Sequence, residues 1–310
     1  MARKLRVEYP GAVYHVINRG DRGEPIFQTW QDREMFLEIL AEACQKTGWQ
    51  VHAYCLMSNH FHLVVETPSA NLVSGMKWFL GAYTARFNRR HRFFGHLFSG
   101  RYKSLIVESS GTGHLKTVCD YVHLNPARAK LLGPEENLSH YSWSSYPAYL
   151  RSARHRPGWL RTDRLLGEHG LRGDTAAARR EFALRMEARR LAELDPEWKG
   201  IRRGWCLGSR EFRKGLLEEM VGRIGPNHDG ETRRESGEVW AEQLVAEELR
   251  RRRWTAAELR RRLKGDAQKI QIARRLRQET TMTLSWIGKR LNMGVAGSVA
   301  NLLRHARRKQ

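Results

Sequence analysis

The sequence predicts an α+β fold: a ferredoxin-like antiparallel sheet with helices on one face, followed by an α-helical C-terminal domain with a helix-turn-helix. Three observations carry this expectation. Strand-like and helix-like patterns follow one another in the order β-α-β-β-α-β, and short amphipathic helices crowd the last quarter of the chain. Charge divides the same way: residues 1–150 hold 17 Lys or Arg against 12 Asp or Glu, whereas the rest hold 38 against 21.

The elements follow in order. Ala12 to Asn18 (AVYHVIN) is rich in β-formers and is broken by the loop Arg19-Gly20-Asp21-Arg22-Gly23. A helix begins at Asp32, read as its N-cap, and repeats Phe36, Leu37, Leu40 and Ala41 at helical spacing as far as Thr47-Gly48. Two apolar runs, Trp49 to Met57 and His60 to Glu66, are separated by Ser58-Asn59, which suits a tight antiparallel hairpin. Leu72 to Arg89 forms a second amphipathic helix, and Tyr102 to Glu108 is a short strand after a Gly-rich basic turn. A third helix runs from about Gly113 to Asn125 and stops near Pro126, whose ring cannot continue the hydrogen-bond ladder. A sheet of this order exposes its second face or an edge to nucleic acid.

Residues 151–235 read as a basic connector, helical from Arg179 to Leu194, and residues 236–310 as a helical domain. Helices are expected over Glu238 to Arg253, Ala256 to Lys264, Ala267 to Gln278, Leu284 to Leu291 and Ser298 to Arg308. In the last pair, Thr283 caps a helix carrying Leu284, Ile287 and Leu291. Asn292-Met293-Gly294 makes a turn, and Val299, Leu302 and Leu303 face inward on the next helix. With Arg304, Arg307, Arg308 and Lys309 outside, residues 283–308 match a helix-turn-helix; two structural helices joined at a glycine would share the pattern.

A formal charge of +22 over 310 residues favours a polyanionic partner, nucleic acid or an anionic membrane surface. The membrane is the weaker option. No apolar run reaches about 18 residues, and the opening Met-Ala-Arg-Lys-Leu-Arg lacks the apolar core of a secretion signal, so a cytoplasmic protein is expected. Cys44, Cys55, Cys119 and Cys206 show no C-x-x-C spacing and read as reduced, buried thiols. Neither a phosphate-binding G-x-x-x-x-G-K-[ST] loop nor a dinucleotide fingerprint is present.

His60-Phe61-His62 is the sharpest motif. Residues two apart on a strand share a face, so both imidazoles can reach one divalent ion while Phe61 enters the opposite apolar layer. The competing reading makes the two histidines satisfied polar groups. Tyr121 and Asn125 are four apart on the third helix and therefore one turn from each other on one face. Taken alone, they read equally as a core-edge phenol and a C-terminal cap before proline.

Three ordered strings, Met57-Ser58-Asn59-His60-Phe61-His62-Leu63, Gly100-Arg101-Tyr102-Lys103 and Tyr121-Val122-His123-Leu124-Asn125-Pro126-Ala127-Arg128-Ala129, resemble the single-tyrosine HUH transposases, particularly the REP-associated tyrosine transposases. The likeness covers roughly residues 5 to 150 and includes the opening strand Tyr9 to Val16 with Arg19-Gly20. It implies a catalytic domain over residues 1–150 that cleaves and rejoins single-stranded DNA near imperfect hairpins. By motif position it makes His60 and His62 metal ligands and Tyr121 the nucleophile. Asn125 falls where many relatives place glutamine as a third ligand, and asparagine is one methylene shorter. The C-terminal helix-turn-helix is similar to the DNA-binding module of replication initiators.

The chemistry is consistent with that likeness. A phenol of ordinary pKa about 10 is a poor nucleophile at neutral pH, and Mg²⁺ or Mn²⁺ on a non-bridging phosphate oxygen answers part of the need. Arg19, Arg22, Arg89, Arg90, Arg92, Arg101 and Lys103 are candidates to reach phosphates, as are Arg304, Arg307 and Arg308 in the C-terminal domain. Phe93, Phe94, Phe98 and Tyr102 offer stacking faces. The expected partner is single-stranded DNA with hairpins, bound by a monomer or a homodimer. The alternatives are a catalytically silent DNA-binding regulator, and a metal-dependent RNA phosphodiesterase that would leave no covalent adduct.

Overall fold

The structure, a computed structural model, describes residues 7–192, 198, 201, 204–219, 230–280 and 282–307. The chain divides into two compact units, residues 6–209, which hold the sheet, and residues 1–5 with 210–310, whose described elements are helices.

In the sheet unit, β1 (Ala12–Arg19), α1 (Trp30–Thr47), β2 (Gln50–Leu56), β3 (His60–Thr67), α2 (Leu72–His91) and β4 (Lys103–Val107) follow the expected order. Strand order in space is β2-β3-β1-β4, every neighbour antiparallel, the arrangement that a split βαβ unit produces. A fifth strand, β5 (Cys206–Leu207), adds parallel to β4. It accepts a hydrogen bond from Glu108 N at Leu207 O (2.8 Å), and the Glu108 carboxylate takes one from Ser209 N (2.6 Å).

Alternation along the strands sorts the side chains into two layers. On one side Phe61 is fully buried against Phe36 of α1 (ring centroids 5.0 Å apart), which in turn meets Phe79 of α2 at 4.8 Å. Gly75 lets α2 approach this closely, since a Cβ there would stand 2.2 Å from the Trp49 ring. The Thr29 side of α1 corrects the expected cap: Thr29 is the N-cap and Asp32 sits at N3, where its carboxylate accepts from Gln28 N (2.9 Å) and Thr29 N (2.8 Å).

The opposite layer is also covered. While α1 and α2 occupy one face as expected, α3 (His114–His123) packs on the other, against β2, β3 and β4. The helix expected to reach Asn125 ends at His123, and a short α4 (Asn125–Arg128) restarts with Pro126 in its first turn. After it come α5 (Tyr146–Tyr149), α6 (Asp163–Glu168) and α7 (Ala176–Leu191), the last capped by Thr175, whose side chain accepts from Ala178 N. Residues 151–209, read from sequence as connector, thus supply α6, α7 and β5 to the sheet unit. The expected end of the connector helix beyond residue 192 lies outside the described residues.

The second unit holds α8 (Arg210–Glu219), α9 (Gly230–Arg252), α10 (Ala256–Arg261), α11 (Ala267–Glu279), α12 (Leu284–Arg290) and α13 (Ala296–Arg307). Leu244, Val245, Leu259, Ile272, Leu276, Ile287, Leu291 and Val299 form its core. Thr283 caps α12 by accepting from Trp286 N, and the turn before α13 has positive φ at Asn292 (52°) and Gly294 (92°). Gly288 is required there: its Cβ would lie 2.2 Å from the Gly294 carbonyl oxygen. All four cysteines are buried and free, and no described helix is long and apolar enough to cross a membrane.

Candidate functional site

The strand pleat delivers His60 and His62 to the face opposite Phe61. Cross-strand register extends that face: Arg19 lies opposite His60, Ile17 opposite His62, and Lys103 opposite Ile17. His62 is buried; its ring meets His60 at 5.1 Å and lies edge to edge with His15 of β1, centroids 5.2 Å apart and 15° between planes. A hydrogen bond of 3.0 Å joins His15 Nε2 to His62 Nδ1. His60 Nδ1 donates to Asn59 Oδ1 at 2.8 Å; the Asn59 amide is oriented by its own Nδ2, which donates to Gly23 O at 3.0 Å.

Tyr121 projects from α3 onto this face. Its ring centroid lies 5.8 Å from His62 and 5.8 Å from His15, edge-on to both. Behind it the Arg128 guanidinium stands 4.5 Å from the Tyr121 ring and 4.7 Å from the Trp198 ring, which itself meets Tyr121 at 5.7 Å. Asn125 is buried at the start of α4. Its Oδ1 takes a long contact of 3.5 Å from Arg128 Nη1, and its Nδ2 has no partner.

The tyrosine helix is held from its other sides. Asp120, fully buried, accepts from His169 Nε2 (3.0 Å) and Arg189 Nη1 (2.8 Å), so residues of α6–α7 grip the turn that carries Tyr121. His123 Nε2 lies 2.8 Å from Ser145 Oγ, and that hydroxyl in turn accepts from Tyr54 N of β2.

Burial sets the charge state of the histidine cluster. It pushes His15 down to about 3 and His60 down to about 4, the latter helped by the nearby Arg19. His62 is held well below its ordinary value by burial and by His15, His60 and Arg128. All three are therefore neutral at pH 7, the form in which an imidazole binds a metal. With the Nδ1 atoms of His60 and His62 engaged by Asn59 and His15, their Nε2 atoms are the donors left to face a cation. Among the described residues no group of three or more His, Cys, Asp and Glu side chains is arranged to hold a metal. The two imidazoles of His60 and His62 are the side chains on this face that could hold a cation.

The structure separates the candidate DNA contacts. Arg19 and Lys103 are exposed on the histidine side, and the 92–101 loop is tied to that edge by Ser99 N donating to Arg19 O (2.9 Å) and Asp21 N donating to Leu97 O (3.0 Å). Arg101, Arg22, Arg89 and Arg92 are exposed; Arg90 is paired with Asp32 at 3.4 Å. Arg89 and Arg90 end α2, a helix on the Phe61 side, and so stand apart from the histidines. Phe94 is 98 % exposed and Phe93 49 %, whereas Phe98 and Tyr102 are buried and belong to the core. Arg304 is exposed on α13; Arg308 and the side chain of Arg307 lie outside the described residues.

Three site residues were missed from sequence. His15 carried a usable signal, because a histidine inside an otherwise apolar strand beside H-x-H can share its face. Arg128 carried none that helical spacing could supply, because the chain breaks at Leu124 between it and Tyr121. Trp198 carried none, being distant in sequence.

An α+β sheet domain with a strand histidine pair facing a helix tyrosine is the class that this fold and cluster define. Residues 9–125 match the family described as Transposase IS200 like, which supports an enzymatic DNA-processing role for that segment. Among solved structures, one described as a REP-associated tyrosine transposase bound to a REP hairpin aligns at TM-score 0.41 with 13% identity, over 53% of this chain and 93% of that one. A putative transposase from Deinococcus radiodurans R1 aligns at TM-score 0.28 with 20% identity, over 39% of this chain and 95% of that one. No curated protein matches.

Proposed function

We propose that the protein nicks and rejoins single-stranded DNA beside hairpins, with Tyr121 as nucleophile and His60 and His62 as ligands of a divalent cation, Mg²⁺ or Mn²⁺. The observation that carries this reading is the approach of the Tyr121 ring to within 5.8 Å of His62 on one face of the sheet. Asn125 adds a buried amide whose Nδ2 is free to donate to a phosphate oxygen, while its Oδ1 is the atom that would serve as a third ligand. The motif resemblance supports the substrate class.

When bound, the cation supplies Lewis acidity to a non-bridging oxygen of the scissile phosphate. His60 and His62 would hold it, their Nδ1 atoms being taken by Asn59 and His15. The hydroxyl of Tyr121 attacks phosphorus: its oxygen–phosphorus bond forms as the bond to the 3′ oxygen breaks. The phenolic proton passes to solvent and the leaving oxygen takes one up. The products are a 5′-phosphotyrosine and a free 3′-OH, and reverse attack by a 3′-OH restores the strand without ATP. Arg128, beside the phenol ring, favours the negative charge that develops there. Arg19, Arg101 and Lys103 border the same face and guide the strand, Arg22, Arg89, Arg90 and Arg92 add phosphate contacts farther off, and the α12–α13 pair, with Arg304, Arg307 and Arg308, grips DNA as a helix-turn-helix.

The test is a denaturing gel of a hairpin-flanked oligonucleotide incubated with protein and Mg²⁺ or Mn²⁺. Wild type should give a covalent protein–DNA band that Tyr121→Phe abolishes. An equal band from that variant removes Tyr121 as nucleophile, and cleavage with no band at all favours activated water.

A further inference from the structure

We infer that His15 is a positioning residue for His62, its Nε2 accepting a hydrogen bond from His62 Nδ1–H and so leaving Nε2 of His62 bare for a cation. The inference rests on reading His60 and His62 as metal ligands, and extends it to a residue on a different strand.

The 3.0 Å separation of two ring nitrogens requires one proton between them, since two lone pairs would repel. In a neutral pair only two arrangements exist. If His15 Nε2 carries the proton, the single N–H of His62 must sit on its Nε2 and block coordination. If His62 Nδ1 carries it, His62 Nε2 is bare, and the N–H of His15 moves to Nδ1. Only the second arrangement is compatible with a ligand. Asn59 does the same for His60, offering a carbonyl oxygen to its Nδ1, so both imidazoles are held by an acceptor on the side away from the site.

The placement of His15 fits no ordinary structural role. It is 1 % exposed, its Nδ1 has no partner, and burying a polar ring at this expense calls for a compensating use. The near-coplanar edge-to-edge pairing of the two rings, 15° between planes, fixes ring tilt as well as tautomer, and the edge-on contact of His15 with Tyr121 at 5.8 Å ties ligand and nucleophile to one strand. β1 is the central strand between β3 and β4, the least able to shift.

The experiment uses the full chain without DNA. Mn²⁺ binding, followed by the electron paramagnetic resonance of free Mn²⁺, should weaken roughly 10–100-fold in His15→Phe, which keeps a flat ring but has no acceptor. His15→Gln, which restores an acceptor oxygen, should recover most of the affinity. Wild-type affinity in a folded His15→Phe protein overturns the inference. Long-range ¹⁵N–¹H spectra of histidine-labelled wild type give a second measurement that depends on neither variant folding nor metal binding. They should show His62 protonated at Nδ1, and His62 protonated at Nε2 overturns the inference. Absence of any Mn²⁺ binding by wild type would instead defeat the ligand reading of His60 and His62, leaving the tautomer measurement to judge His15 separately.

Discussion

Asp120→Ala should loosen the tyrosine helix and lower the stability of the sheet unit by about 3 kcal/mol. The carboxylate is fully buried and joins α3 to two partners from α6–α7, His169 at 3.0 Å and Arg189 at 2.8 Å. Removing one member of a buried ion pair costs about 3–5 kcal/mol because the other is left without compensation. The Arg189 side chain is 29% exposed and can turn to water, which places the loss at the lower end. For a unit of this size each kcal/mol moves the melting temperature by about 2–4 °C, so a fall of roughly 6–12 °C is expected by calorimetry or circular dichroism. Asp120→Asn keeps a carbonyl acceptor and should fall about half as far. Melting of Asp120→Ala at the wild-type temperature would refute the idea that residues beyond the IS200-like segment hold the tyrosine helix.

Two further outcomes are expected. Phe94→Ala should weaken binding of single-stranded DNA about tenfold, within the ~1–3 kcal/mol that a base stacked on an aromatic ring contributes, while Phe94→Trp retains it; unchanged fluorescence anisotropy titrations would place the exposed tip outside the DNA path. The Glu66 carboxyl is held down at about 2 by the hydrogen bond from His52 and by Arg164, below its ordinary 4.5. A depressed carboxylate stabilises the fold above the unfolded value and loses that contribution as pH falls toward about 2. Urea denaturation should therefore show Glu66→Gln less stable than wild type at pH 7, the gap closing between pH 4.5 and 2; a gap that stays constant with pH would contradict this.

The sequence carried the core of the fold because its signals are local. The pleat of a strand over His60–Glu66 places Phe61 and His62 on opposite layers whatever surrounds them, and the phenol of Tyr121 follows from helical spacing once α3 is recognised. Boundaries depended on competition that only packing settles. Asp32 resembles an N-cap, but Thr29 takes that position, and Asp32, at N3, also accepts a bond from His91 Nε2 (2.8 Å), drawing the helix start back three residues. A continuous helix to Asn125 gave way to a break at Leu124 before Pro126. The covering of the second face by α3 could not be read from element order, which fixes neighbours in a sheet but not the layer a following helix chooses. β5 was invisible because two residues carry no periodicity.

That two-residue strand has a practical meaning. β4 would otherwise be the last strand of the sheet on its side, a row of unsatisfied amides and carbonyls inviting a second molecule to pair with it. Cys206 and Leu207 occupy that row from nearly a hundred residues downstream. A shortened protein ending at residue 150 would bare that adhesive border at the same time as it lost the grip of His169 and Arg189 on the tyrosine helix, and it should clump in solution.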